Sequence, residues 1–163
     1  MIYVLKQRFW SLGNNFHIRD SAGRDVFQVN GRILSLGDKL SFQDLQGREL
    51  IFIRQKVLSW GLTYYLEREG QVIAEVRKHL FTFLKCKFTV DVPGPDDFEA
   101  QGNLLDHEYT ITRRDRVAAT ISKRWFTWTD TYGVETADGE DDVLLLAAAV
   151  VIDLACHQEN RSH

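Results

Sequence analysis

Two interleaved series of short motifs repeat along this chain with a period of about two dozen residues. The first series is an apolar residue, Ser or Thr, and a second apolar residue, found at residues 10–12, 34–36, 58–60, 81–83 and 126–128. The second is a glycine, in several copies behind an acidic residue, at Gly23, Gly47, Gly70, Gly94 and Gly139. A repeat of this length holds one hairpin, so the pattern predicts a serial array of antiparallel strands. We call the end of the array with the Ser/Thr motifs the tip end and the end with the glycines the loop end.

Residues 71–81 show the strand alternation most clearly. One face carries Val72, Ala74, Val76, Lys78 and Leu80. A shift of 45 residues places Val117, Ala119, Ile121, Lys123 and Trp125 at the same five positions. We therefore predict that both sets face the interior and that the two strands are copies of one repeat. About six such hairpins make an antiparallel sheet of about twelve strands, which is long enough to curl and close.

The last part of the chain has a different character. An acidic run at residues 138–142 precedes ten continuous apolar residues, 143–152, and then Asp153. Acidic residues in the first turn, followed by Leu and Ala, favour a helix from about residue 140 to 157. A helix that is apolar on all sides must be enclosed, and this one falls short of the roughly 20 apolar residues that span a bilayer.

A barrel of eleven or twelve strands has room for a helix in its lumen. The predicted fold class is mainly β: a closed antiparallel barrel of about twelve strands around a central hydrophobic C-terminal helix. We expect one domain over residues 1–158, with the barrel at 1–138, the helix at 139–158 and a polar tail at 159–163.

Composition limits the function classes. A chain of 163 residues with a net charge of −3 suits one soluble domain and argues against nucleic acid as a partner. Cys86 and Cys156 are far apart and belong to no metal framework, so we expect free thiols in a reducing compartment. The first residues lack a long apolar run and a cleavage site. The expected location is cytoplasmic.

Formal charges sort by end in the predicted array. The tip end collects Arg8, Arg32, Lys39, Lys56, Lys78, Lys85, Lys87, Lys123 and Arg124. The loop end collects Asp20, Asp25, Asp44, Glu67, Glu69, Asp96 and Asp97. This distribution predicts a molecule with a basic end and an acidic end.

Four stretches, at residues 58–61, 78–83, 88–97 and 130–142, closely resemble the LURP-one-related family, and the resemblance extends over residues 1–156. It implies the fold shared by tubby C-terminal domains and phospholipid scramblases, a twelve-stranded barrel around a central hydrophobic helix. Tubby domains bind phosphoinositide head groups, and scramblases are calcium-regulated membrane proteins. The sequence shows neither the cysteine-rich nor the proline-rich segment of scramblases, so no site residue of either group is transferred here.

The tip end is where the sequence places a candidate binding site. Its candidate ligand-binding residues are Lys56, Lys78, Lys85, Lys87, Lys123 and Arg124. Its candidate membrane-interface residues are Trp10, Trp60, Phe83, Trp125 and Trp128. These sets predict a non-enzymatic module that binds anionic lipid head groups or phosphate-bearing ligands at a membrane surface. Two alternatives remain: the same end docks a protein partner, or the lysines extend to water while the aromatic rings close the barrel.

Catalytic and metal sites have weaker support. Asp138, Glu140, Asp141 and Asp142 are weak candidates for a calcium site, but they lack the spacing of an EF-hand loop, and helix capping explains them. We therefore expect no metal or cofactor. No nucleophile elbow, phosphate-binding loop or zinc-protease motif is present, and the carboxylates beside His107 alternate faces. A hydrolase or a calcium-regulated lipid-handling protein is the less favoured alternative.

Overall fold

The structure is a computed structural model that describes residues 1–6, 15–32, 37–56, 61–82, 85–104, 106–125 and 130–158. For residues 32, 80–82, 85, 86, 157 and 158 it describes the backbone alone. All or part of each predicted Ser/Thr motif lies outside the described residues. In the copy at 81–83, residues 81 and 82 continue a strand.

Twelve antiparallel strands form a closed barrel in which each strand pairs with its neighbours in sequence and the first pairs with the last. The strands are β1 Ile2–Lys6, β2 Asn15–Asp20, β3 Asp25–Arg32, β4 Lys39–Gln43, β5 Glu49–Gln55, β6 Thr63–Arg68, β7 Gln71–Thr82, β8 Lys85–Asp91, β9 Phe98–Asn103, β10 Glu108–Arg113, β11 Arg116–Ser122 and β12 Thr131–Thr136. The predicted fold class is confirmed. Closure leaves no free sheet edge, because β1 and β12 pair over five residues.

A single helix, α1 (Asp142–Gln158), follows the last strand in the described chain. Its 17 residues span about 26 Å at 1.5 Å per residue. Every side chain from residue 144 to 156 is buried, Asp153 included, and the helix shares one hydrophobic core with inward side chains of the barrel. The Asp141 carboxylate accepts a hydrogen bond from the Leu144 backbone N–H at 3.1 Å, which caps the helix N-terminus.

The five loop-end glycines all have positive φ, between 79° and 117°, a conformation that glycine adopts without steric cost. Two of the turns are copies of each other. Asp20 accepts backbone hydrogen bonds from Ala22 and Arg24 through one carboxylate oxygen, and Asp44 does the same with Gln46 and Arg48. The glycine series therefore marks turns, as predicted.

The loop end is mixed in charge, and here the sequence interpretation was incomplete. It counted the acidic residues and omitted the arginines of the same loops. The ion pairs there include Arg24 with Asp20, Arg48 with Asp44, Arg114 with Asp96, Arg113 with Glu140 and Arg68 with Asp141. Each of these carboxylates has a guanidinium partner within 3.2 Å.

The predicted inward faces of β7 and β11 are correct for Ala74, Val76, Ala119 and Ile121, which are buried. They are wrong for Val72 and Val117, which are 45% and 49% exposed. They are also wrong for Trp125, which is 38% exposed because it lies in the turn beyond the end of β11. Just after the turn that precedes β7 or β11, one extra residue interrupts the pairing with the preceding strand. Residues between the turn and this bulge, such as Val72 and Val117, therefore face the opposite side of the sheet from the one that simple alternation predicts.

The same shift follows the turn in four hairpins: β2–β3, β4–β5, β6–β7 and β10–β11. The residue skipped by the ladder is Val26, Leu50, Ile73 or Ala118, at the spacing of the sequence repeat. The first three are half-buried and pack against the core, and Ala118 is buried within it. The bulge is thus a feature of the repeat, and it explains why simple alternation fails near the loop end.

Val72 and Val76 test this register within one strand. Val76 is fully buried, so Val76→Ala should lower the free energy of unfolding by about 2 kcal/mol. Val72→Ala removes the same atoms from an exposed site and should cost less than about 0.5 kcal/mol. Urea unfolding followed by circular dichroism measures both, and equal losses would contradict the bulged register.

Candidate functional site

At the tip end, the last residue of β11 and the three residues after it, 122–125, carry two basic side chains, and we call this segment the basic turn. Its centre is the Glu108 carboxylate of the neighbouring strand β10. Glu108 accepts hydrogen bonds from the Ser122 hydroxyl at 2.8 Å and from the Lys123 backbone N–H at 3.0 Å. The Ser122 hydroxyl oxygen in turn accepts the Arg124 backbone N–H at 3.1 Å. One carboxylate therefore fixes the backbone that carries Lys123, Arg124 and Trp125.

The last two side chains of the basic turn are exposed. Arg124 is exposed, and its guanidinium lies 3.9 Å from Glu108, a long and solvated contact that contributes little energy. Lys123 is half-buried and forms no ion pair among the described residues. Trp125 is 38% exposed, which is unusual for the largest apolar side chain. Two cations and an indole thus stand together on a fixed turn.

The residue before Glu108 connects this turn to the interior of the barrel. The ring nitrogen Nε2 of His107 lies 2.7 Å from an oxygen of Asp153 on α1, and both side chains are buried. The Tyr132 hydroxyl donates to the other Asp153 oxygen at 3.3 Å, and the His107 and Tyr132 rings stack with centroids 4.3 Å apart. His107 has a φ of 54°, a left-handed conformation that is uncommon outside glycine. We call these three residues the buried triad.

Sequence reasoning placed His107 among scattered histidines and missed its partners. The strand alternation expected for residues 106–108 is wrong, because residues 106 and 107 form a turn before β10. Asp106 accepts a hydrogen bond from Asn103, and Glu108 holds the basic turn. The carboxylate that His107 contacts comes from Asp153, 46 residues further along the chain. The available signal was Asp153 itself, an acid inside an otherwise apolar helix, because a buried charge requires a polar partner.

The other predicted ligand-binding residues are spread around the barrel. Lys56 is exposed, and its ammonium lies 5.7 Å from the centre of the Tyr65 ring, which Arg54 also covers at 4.4 Å. Lys87 forms an ion pair with Glu99 at 3.6 Å. Lys78 lies in β7 and is buried, with only 8% of the residue exposed. Lys85 lies in β8, and its side chain is outside the described residues.

The structure brings together Lys123, Arg124 and Trp125 from the two predicted sets. Trp10, Trp60, Phe83 and Trp128, the other predicted interface residues, lie outside the described residues. Because β5 and β11 are on opposite sides of the closed barrel, Lys56 cannot join the basic turn in one compact site.

Most acidic residues of the run at 138–142 form contacts within the fold. Glu140 accepts two hydrogen bonds from Arg113, Asp141 caps the helix, and Asp142 accepts the Tyr3 hydroxyl at 2.6 Å. Asp138 is exposed. In the described part of the chain, no three His, Cys, Asp or Glu side chains are grouped as a metal ion would require.

Comparison with known proteins supports the assignment suggested by the fold. The LURP-one-related family profile matches residues 1–153. The chain belongs to the LURP-one-related family. It is also 34% identical over 155 residues to the uncharacterized protein YxjI of Bacillus subtilis (strain 168), covering 95% of this chain and 93% of that protein.

This LURP-one-related domain has no described helix that is long and apolar enough to cross a membrane. Cys156 is buried, and the side chain of Cys86 is outside the described residues.

Replacing His107 tests whether the buried triad holds the helix in place. His107→Ala leaves Asp153 in the core with one donor fewer, so we expect a loss of about 3 kcal/mol in the free energy of unfolding. His107→Asn should lose less, because Asn tolerates the left-handed backbone and carries a donor. Urea unfolding measures both, and a loss below about 1 kcal/mol for His107→Ala would show that the pair is not important for stability.

The triad also predicts an alkaline limit to stability. Burial, followed by the Asp153 charge, raises the pKa of both Tyr132 and Tyr109 well above the ordinary value. The unfolded chain loses these protons near pH 10 while the folded domain keeps them, so stability is present below pH 10 and falls above it.

For each tyrosine the fall is up to about 1.4 kcal/mol per pH unit. Tyr132→Phe should therefore reduce the slope of unfolding free energy against pH by about this amount above pH 10. Urea titrations between pH 8 and 11 measure the slope, with pH 8 as the internal reference. An unchanged slope in the variant would contradict the prediction.

Proposed function

We propose that this domain is a non-enzymatic module that docks on anionic membrane surfaces through the basic turn. The observation that carries the proposal is the exposed Trp125 beside Lys123 and Arg124, on a backbone held by Glu108. A flexible basic loop would lose side-chain and backbone freedom on docking, whereas this turn has already been ordered by its internal hydrogen bonds.

The charge of the turn suits a phosphate-bearing surface. Near an anionic membrane, each Lys or Arg contributes about 1 kcal/mol of attraction. Arg124 has a weak contact with Glu108 and remains largely exposed, so its guanidinium is accessible to lipid phosphates.

Trp125 adds a preference for the membrane interface that charge alone does not give. Indole rings favour the interface between lipid head groups and acyl chains, since the ring is amphipathic. An adjacent Trp therefore favours a lipid surface over a free soluble phosphate. The absence of recognisable catalytic motifs in the sequence supports the non-enzymatic part of the proposal.

The double variant Lys123→Gln/Arg124→Gln tests the docking surface. Removing two charges should weaken sedimentation with vesicles of phosphatidylcholine and phosphatidylserine about thirtyfold, which corresponds to about 2 kcal/mol. Trp125→Ala should weaken it independently. Binding of the wild type should also fall as salt is raised, because surface attraction is screened.

The matched control is Arg114→Gln/Arg116→Gln, which removes the same charge from the β10–β11 turn at the loop end. It should sediment like the wild type. Vesicles of phosphatidylcholine alone should bind weakly. If the basic-turn variant and this control both sediment like the wild type, the basic turn is not the membrane-docking surface. Docking of a protein partner at the tip end is then the better explanation.

A further inference from the structure

A second group of cations lies on the outer wall of the barrel, at the tip ends of β4 and β5. Lys39 and Arg54 are directly opposite each other across these two strands. Their neighbours Leu40 and Ile53 are buried in the core, so strand alternation turns Lys39 and Arg54 outward. Lys56 follows Arg54 by two residues and is exposed on the same face. We call Lys39, Arg54 and Lys56 the wall cluster.

The charges of the wall cluster are only partly compensated. The Arg54 guanidinium donates a hydrogen bond to Glu67 at 2.6 Å and lies over the Tyr65 ring at 4.4 Å, so a carboxylate and an aromatic face hold it in place. Lys39 and Lys56 are exposed, and neither has an ion-pair partner in the part of the chain that the structure describes. Two ammonium groups are therefore accessible to an outside anion.

The row to which Lys39 belongs repels itself. Like charges that are directly opposite each other on neighbouring strands are destabilising. Lys39 lies opposite Arg54 on one side, and the register places Arg32 of β3 opposite it on the other. Three basic residues in one row across three strands are thus stabilised by negative charge outside the wall.

The wall cluster and the basic turn lie on opposite sides of the same end of the barrel. Lys39 begins β4 and Ser122 ends β11, so both groups are at the tip end. In the ring of twelve strands, β4 and β5 are each six strands away from β10 and β11. With strands about 4.8 Å apart, the two groups are separated by roughly 20–25 Å. They can approach one flat surface together only when the tip end faces that surface.

We propose that the wall cluster is a second membrane-contact surface and that the domain docks upright, with its tip end towards an anionic bilayer and its loop end away from it. This inference rests on the docking function proposed above and adds the orientation of the bound domain. The loop end suits the side that faces water, because it carries Asp20, Asp44 and Asp96, which are paired with arginines of the same end.

The variant Lys39→Gln/Lys56→Gln tests the second surface, since it removes the two charges that lack a carboxylate partner. Sedimentation with vesicles of phosphatidylcholine and phosphatidylserine should weaken about thirtyfold, because each lost cation lowers the affinity about fivefold. Combination with the basic-turn variant should weaken it about a thousandfold, since both surfaces contact the same bilayer. The loop-end control described above should sediment like the wild type.

The stability of this variant is a check that weak sedimentation does not come from unfolding. Both lysines are exposed, and the replacement of Lys39 relieves its repulsion with Arg54. We expect the midpoint of urea unfolding to equal or exceed that of the wild type.

Nitroxide-labelled lipids in the same vesicles test the orientation directly. A fluorophore in place of Asn15, which begins β2, or Asn103, which ends β9, should be quenched to a similar degree. Both residues are exposed at the tip end, on nearly opposite sides of the barrel. A fluorophore in place of Gln46, in the exposed turn between β4 and β5 at the loop end, should not be quenched.

The outcomes separate the orientation from the docking function. If Lys39→Gln/Lys56→Gln sediments like the wild type while the basic-turn variant is weakened, the upright orientation is wrong and docking by the basic turn stands. Quenching at only one of Asn15 and Asn103 would overturn the orientation in the same way. So would clustering of vesicles by the wild type, which would show that the two surfaces contact different membranes. If neither variant is weakened, both the orientation and the proposed function are wrong.

Discussion

The helix α1 is buried around its whole circumference over residues 144–156, and this requirement for enclosure organises the rest of the fold. A helix of this kind is stable in water only inside a wall of apolar side chains. Twelve strands supply a wall of sufficient diameter, whereas eight would fill the lumen with their own side chains. Small residues such as Ala74 and Ala119 face the interior, where a larger side chain would compete with the helix for space.

Asp153 is the exception in this apolar helix, and it joins the interior to the surface. Its carboxylate is hydrogen-bonded by Tyr132 and contacted by His107, and the next residue, Glu108, holds the basic turn outside the wall. A buried carboxylate without such partners would be strongly unfavourable. The contact therefore ties the helix to the residue next to Glu108, which holds the surface that we propose for membrane docking.

Much of the fold was predictable because it depends on local patterns. The glycine series located the turns, the apolar run located the helix, and alternation placed Ala74 and Val76 inside. Alternation failed at Val72 and Val117, since a bulge depends on the register of two strands. Of the candidate site, Lys123, Arg124 and Trp125 were among the residues predicted for the tip end. The support of their turn by Glu108 was not predicted, because it arises between two strands.

The sequence by itself determined the class of the protein: a repeat of hairpins, a helix that must be enclosed and hence a closed barrel. These features follow from periodicity and from the hydrophobic effect, which act at the level of segments. Only the tertiary structure decided which polar residues meet. His107 and Asp153 are 46 residues apart and touch because barrel closure brings β10 against α1.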